Sequence, residues 1–432
     1  GQGQGSSEKD GICMVKKGYK QTEVGVIPED WNISTLETQY NITSSKRVFQ
    51  SEWRDSGVPF YRAREIAVMG EGVPAPKDLY ISEKMYVQYS KQYGAIKEND
   101  VLITGVGSLG KVYVVKKDDR FYFKDGNIIW LQWNGRYSSQ FLKQLYRTPV
   151  LTDQVFGNAG GSTVPTYTIT NAKATVVPCP AYQEQCDIAE VLSDTDELIA
   201  TIEKQIAKKK AIKQGTMQEL LTGNRRLPGF NGAWQVVKLE DICSKITDGS
   251  HESPPESDIG YYMPSVKDMR STSFDYSECK KISYSDFKKL ERNGCRPDAG
   301  DVLIAKDGSI LKYAFVQEKA ENIVILSSIA IVTPHSDRVD SYFLAQYFRQ
   351  QNFVEQVITS YKSGTGVPRI VLKRFKQIVL FIPESVAEQA AIAKILVDMD
   401  IEITGLEKEL AKYRQVKQGM MQQLLTGKIR LV

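Results

Sequence analysis

Apolar positions along this chain follow two different periods. Glu184–Leu221 and Glu388–Leu425 contain no proline. In the second stretch apolar residues fall at Ile392, Ile395, Met399, Ile403, Leu406, Leu410, Tyr413, Val416, Met420 and Leu424. The same register in the first gives Ile188, Val191, Ile199, Ile202, Ile206, Ile212 and Leu220. Steps of three and four make one apolar stripe on a helix, close to a heptad seam. Thr222-Gly223 and Thr426-Gly427 supply a glycine stop. At ~1.5 Å per residue each helix would run about 57 Å. A helix that long with one stripe cannot be buried in its own small domain, so the two are expected to pair along their length.

Elsewhere the pattern shortens. VLITGVGSLGKVYVV (101–115) and DVLIAKDGSILKYAFV (301–316) read as strand, glycine turn, strand. NIIWLQW (127–133) and IVILSSIAIV (323–332) read as buried strands. SSQFLKQLYR and VDSYFLAQYFRQ fit short amphipathic helices. The expected fold class is α+β, with two globular parts.

An internal repeat sets the organisation. EKQIAKKKAIKQGTMQELLTGNRRL (203–227) and EKELAKYRQVKQGMMQQLLTGKIRL (407–431) share 15 of 25 positions at an offset of 204. Upstream, Glu184-Gln185 matches Glu388-Gln389, Asp100–Ile103 matches Asp301–Ile304, and Trp31 matches Trp234. Val164-Pro165 matches Val367-Pro368 in the same way. The expected division is a tag-like leader at 1–18, a globular domain at 19–181, a long helix at 182–223, a second domain at 224–384 and a second long helix at 385–432.

Composition narrows the class. The chain of 432 residues is 41% hydrophobic and 25% charged, as in soluble globular proteins. No stretch approaches the roughly 18 uncharged apolar residues of a membrane span. The six cysteines form no CxxC pair and only His251 and His335 are present, so a zinc site is not expected. Reduced thiols fit a cytoplasmic protein. The net charge of +4 permits nucleic-acid binding without arguing for it.

Three catalytic motifs fail on inspection. Gly105–Lys111 satisfies GxxxxGK, but Val112 replaces the Ser or Thr a phosphate loop needs, and a strand follows instead of a helix. Pro254-Pro255 lies between Ser253 and Glu256, not in the Asp/Asn-Pro-Pro-aromatic context of amino-methyltransferases. Asp298, Asp301 and Lys306 complete no nuclease constellation. No catalytic, cofactor-binding or metal-binding residue is expected.

The twice-repeated Gln-x-Leu-Leu-Thr-Gly-x-x-Arg-Leu (218–227 and 422–431) resembles the repeated regions of the specificity subunit of type I restriction–modification systems. So do Val26–Trp31, Ala233–Asp241, Thr247–His251 and the Gly-x-x-x-Pro pairs Gly161–Pro165 and Gly364–Pro368. The resemblance covers nearly all of 19–432. It implies two target recognition domains, an antiparallel coiled coil between them, and no catalysis in this chain. It further implies two copies of a methylation subunit that uses S-adenosylmethionine on adenine, and a restriction subunit that uses ATP with Mg2+. The target would be a split, asymmetric sequence on double-stranded DNA.

Base reading needs Arg, Lys, Asn, Gln or Ser at the groove, and phosphate contacts need Lys or Arg. The candidates in the first domain are Lys46, Arg47, Arg62, Arg64 and Lys111, with Arg62 and Arg64 expected on one strand face. In the second they are Ser265, Lys267, Arg270, Lys306 and Lys312. Lys204, Lys208, Lys209, Lys210 and Lys213 form a charged helix face that can point at DNA. Met217, Leu220, Leu221, Met420, Met421, Leu424 and Leu425 are candidates for partner docking. A coiled-coil adaptor that binds no nucleic acid is the rival reading.

Overall fold

The computed structural model describes residues 16–157, 165–362 and 368–431. The chain forms two compact units, Gly1–Thr201 with Ala411–Val432, and Ile202–Leu410. Each therefore holds part of either long helix. Those helices span Tyr182–Leu220 and Val386–Leu424. They stop where glycine takes a left-handed conformation, at Gly223 (φ +76°) and Gly427 (φ +67°). A Cβ on Gly427 would meet Pro28 at 2.5 Å, and one on Gly223 would meet the Trp234 ring at 3.4 Å. The repeated Thr-Gly thus ends a helix and lets its tail lie against a tryptophan.

In the first unit a four-stranded antiparallel sheet runs in the order Asn41–Thr43, Ile128–Gln132, Val101–Thr104, Val112–Val114. A separate pair joins Asn32–Thr35 to Val176–Cys179. The helix Ser139–Leu145, capped by Ser138, packs into the same core as Trp31, Ile188, Leu192, Leu424 and Leu425.

The second unit repeats the plan. Its sheet order is Cys243–Asp248, Ile329–Pro334, Val302–Ala305, Ala314–Val316. Trp234–Lys238 pairs with Val379–Pro383. The helix Ser341–Tyr347, capped by Asp340, joins a core containing Met217, Leu220, Leu221, Ile392 and Leu396. The strand expected over 323–332 begins only at Ile329. Ile323–Ile325 are buried without being a sheet strand, and the Ile325 carbonyl accepts from the Ser250 N–H at 2.7 Å instead. Burial alone does not distinguish a strand from a packed loop.

Within each unit the helix segments run antiparallel. Asp196 meets Lys417 and Glu184 meets Arg430 in the first. Lys213 meets Asp400 and Arg226 meets Glu388 in the second. No helix among the described residues is long and apolar enough to cross a membrane.

Candidate nucleic-acid interface

The sequence-derived basic residues mostly already hold partners. Arg62 and Arg64 do not share a strand face: the strand ends at Tyr61, and Arg62 caps the helix Ala63–Gly70. Both guanidinium groups bind Glu65, at 3.0 and 2.9 Å. Burial opposes ionisation of Glu65, but Arg62 and Arg64 outweigh it and hold the carboxyl below its usual range. The matched turn in the second unit is built alike, with Ser265 donating to Asp268 from its N–H (2.8 Å) and hydroxyl (2.9 Å). Arg47 binds Asp125 at 3.0 Å, Lys111 binds Glu71 at 2.8 Å, and Arg270 binds Asp275 at 2.8 Å. The Lys111 and Arg270 pairs are exposed, so each contributes about 1 kcal/mol or less and can exchange for a phosphate, whereas Asp125 is only 15% exposed. The Lys46 ammonium lies over Tyr93 at 5.5 Å and that of Lys312 over Tyr313 at 5.2 Å. Lys267 is exposed on its turn.

Lys306 must be withdrawn as a phosphate contact. Its side chain is 5% exposed and lies 3.2 Å from Asp248 and 3.3 Å from Asp307. Two carboxylates already neutralise it away from water.

At one end of each sheet the loops converge. Gly105–Lys111 is a hairpin turn between antiparallel strands, not a phosphate loop. The Gly105 N–H donates to Asn127, and its carbonyl accepts from Tyr167. In the second unit Lys306 takes the same place, donating to Ser328 and accepting from Ile370, while Gly308 donates to Pro368 at 2.7 Å. The Thr247–His251 motif joins this cluster. A Cβ on Gly249 would lie 2.1 Å from the Ile325 carbonyl oxygen, which explains the glycine. His251 stands 77% exposed beside it. Gly161, Val164, Gly364 and Val367 of the repeated loop motif lie outside the described residues, as does most of the leader. Asp301 is a brace, accepting from the Asp298 N–H at 2.8 Å and the Thr333 hydroxyl at 2.6 Å. No group of three or more metal-ligating side chains occurs among the described residues.

Residues that sequence reasoning missed hold these domains to the helices. Glu184 accepts from the Trp31 indole (3.1 Å) and from Arg430 (2.8 Å), whose guanidinium also lies 5.8 Å over the Trp31 ring. Glu388 accepts twice from Arg226, at 2.6 and 2.8 Å, and Arg226 lies 5.7 Å over Trp234. The arginine of each repeated tail thus clamps the glutamate that opens the other helix. Gln185 and Gln389 complete the joint, accepting from the N–H groups of the helix caps Ser138 (2.8 Å) and Asp340 (2.9 Å).

Midway along the helices lies a second matched cluster. Asp400 accepts from Lys213 (2.6 Å), Gln346 (2.8 Å) and Arg349 (2.8 Å). Asp196 accepts from Lys417, Arg147 and Gln144. Burial works against both carboxylates, yet their cationic neighbours hold them below the usual range. Lys213 is pushed down to about 8, first by burial and then by Arg349.

The supposed docking patch is core. Met217, Leu220 and Leu221 are buried in the second unit, and Leu424 and Leu425 in the first, with Met420 and Met421 packed partly buried against them. These residues meet a globular core and are not free to dock a partner, while Ile212 and Val416 of the same stripes stay exposed. The lysine face also divides: Lys213 is buried, Lys209 and Lys210 pair with Glu402 and Glu407, and Lys204 and Lys208 stay exposed.

The family model described as type I restriction modification DNA specificity domain matches residues 28–213 and again 231–417. The putative type I restriction enzyme MjaX specificity subunit of Methanocaldococcus jannaschii is 26% identical, over 96% of this chain and 97% of that protein. The MjaVIII specificity subunit of the same organism is 23% identical, over 96% and 97%. The crystal structure of the type I restriction–modification S subunit from M. genitalium shares the fold, with a TM-score of 0.61 at 14% identity, over 91% of this chain and 96% of that one. Both halves of the chain match the domain, and the chain belongs to the family of type I restriction modification DNA specificity subunits.

Proposed function

We propose that this chain reads a split, asymmetric sequence on double-stranded DNA, one half with each globular domain, as a non-catalytic subunit. The observation that carries this is the doubled plan: two sheets of the same strand order, held by matched clamps, with different side chains at their surfaces. Alike frames with unlike surfaces suit two unlike half-sites. S-adenosylmethionine, ATP and Mg2+ are assigned to the methylation and restriction subunits.

Docking of the methylation subunit is assigned to the exposed face that both helices retain. Lys204, Ala207, Lys208 and Gln218 reappear as Lys408, Ala411, Lys412 and Gln422. Two equal surfaces suit two copies of one partner. Replacing Ala207→Glu should leave one copy bound in a sizing experiment, and the double variant with Ala411→Glu none.

The reading of DNA is tested by expressing the chain with its methylation subunit and mapping methylated adenine across a genome. A two-part asymmetric motif is expected. Exchanging residues 40–180 for those of a relative with another target should change one half of it; an unchanged motif would overturn the proposal.

A further inference from the structure

Each globular part carries one short helix whose two sides behave differently between the copies. In the first unit it is Glu83–Tyr93, with the Ser82 hydroxyl accepting from the Met85 N–H. In the second it is Tyr284–Arg292, with Ser283 accepting from Asp286. Each follows a two-residue strand, Tyr80–Ile81 or Lys281–Ile282. Setting Ser82 on Ser283 aligns Tyr86 with Phe287 and Tyr89 with Leu290. Those residues face inward. Tyr86 and Tyr89 pack on Val48, Val58, Phe60 and Ile81, while Phe287 and Leu290 join Met263, Ile282 and Val324.

The outward positions differ. Lys84, Val87, Gln88 and Lys91 lie on one face, since spacings of three and four bring residues together on a helix. All four are exposed. Their counterparts are Ser285, Lys288, Lys289 and Arg292. The first face is also uncommitted. Among the described residues Lys84, Gln88 and Lys91 make no side-chain hydrogen bond or ion pair, whereas Arg47, Arg62, Arg64 and Lys111 all hold carboxylates. In the second helix Lys288 holds Glu291 and Lys289 holds Glu252, while Arg292 is unpaired among the described residues.

We infer that the outward face of Glu83–Tyr93 is the major-groove reading surface of the first domain, with Tyr284–Arg292 its counterpart for the other half-site. The inference rests on the DNA-reading function proposed above. An 11-residue helix is about 16 Å long and fits a groove roughly 12 Å wide. The Gln88 amide carries the donor and acceptor that match the adenine edge, and Val87 suits a neighbouring thymine methyl. Lys84 and Lys91 reach phosphates on either side. In the second helix Arg292 offers donors only and matches guanine.

The test uses the full chain assembled with its methylation subunit, reading both the methylated motif and the affinity for motif and scrambled duplexes. Gln88→Ala sits at an exposed helical position where alanine is the better helix former, so folding is preserved. It should relax one position of one half-site and cut discrimination there by roughly 5- to 150-fold. Lys84→Ala and Lys91→Ala should weaken binding to all duplexes alike and each lower the salt slope by about 1. Exchanging the whole face (Lys84→Ser, Val87→Lys, Gln88→Lys, Lys91→Arg) should alter the same half-site and leave the other intact. If Gln88→Ala and the exchange leave both halves of the motif unchanged, the helix does not read DNA. Equal weakening on every duplex by Gln88→Ala would equally remove its base-reading role. A wild-type complex with no two-part motif would instead overturn the function on which the inference rests.

Discussion

The clamps at the ends of the long helices and the short Ser-capped helices occupy matched places in both halves, yet only the clamps are retained. Arg226 binds Glu388 and Arg430 binds Glu184, so neither partner can change without stranding a charge. Lys84, Val87, Gln88 and Lys91 face solvent, and among the described residues no side-chain hydrogen bond or ion pair holds them. Identity at these joints therefore marks mutual dependence within the chain, a constraint that the outward face of the short helix does not carry.

The mid-helix clusters sharpen that contrast, because the same residues sit at different depths. Lys213 and Asp400 are 7% and 8% exposed, whereas their counterparts Lys417 and Asp196 are 15% and 34% exposed. The largest expected effect follows. Asp400→Ala leaves Lys213 and Arg349 without their counter-charge and should destabilise the second unit by about 3–5 kcal/mol. Asp196→Ala, in the wetter copy, should cost about 1 kcal/mol. Urea midpoints of the two variants measure this, and equal shifts would break the comparison.

Next in size are the clamps. Glu388→Gln and Glu184→Gln should each cost about 1.5–3 kcal/mol through weakened charge-assisted hydrogen bonds. Similar losses in urea midpoint would sharpen the claim that the two joints are equivalent.

The dependence on pH is smaller and signed. Asp196 and Asp400 are depressed in the native state, so their contribution is present above the unfolded value of about 3.9 and is lost as pH falls through the native values. Asp400→Asn should flatten part of that acid limb. Lys213 is also depressed, to about 8, so between there and about 10.5 the unfolded chain holds a proton the native one releases. Stability from this group rises with pH across that window. Lys213→Met should remove that rise when urea midpoints are followed from pH 7.5 to 10.

The smallest expected effects are at exposed pairs. Lys111→Ala and Arg270→Ala should shift stability by about 0.5 kcal/mol or less. If they reach phosphates, each lowers the salt slope of DNA binding by about 1, read by titration at several salt concentrations.

Much of the architecture was legible because periodicity and repetition are local properties of the chain. The stripe from Ile392 to Leu424 marked the second long helix, and Val112 after Lys111 marked a strand where a phosphate loop needs a helix. The site was less legible. Arg62 and Arg64 looked free because Glu65 stands beside them in sequence without showing that its carboxylate faces them. Met217 and Leu424 looked like surplus apolar surface because the cores that bury them come from distant sequence. Lys306 looked like a phosphate contact until Asp248, 58 positions earlier in the chain, was found against it.

By itself the sequence determined the two helices, the α+β class and the doubled plan, because hydrophobic spacing and glycine stops act over a few residues. Only the tertiary structure decided which charges are available, because an ion pair depends on distances of a few ångströms between residues far apart in the chain. The same contacts decided that each helix tail is held by the start of the other helix. They also separated the side chains committed to ion pairs within each unit from those left exposed.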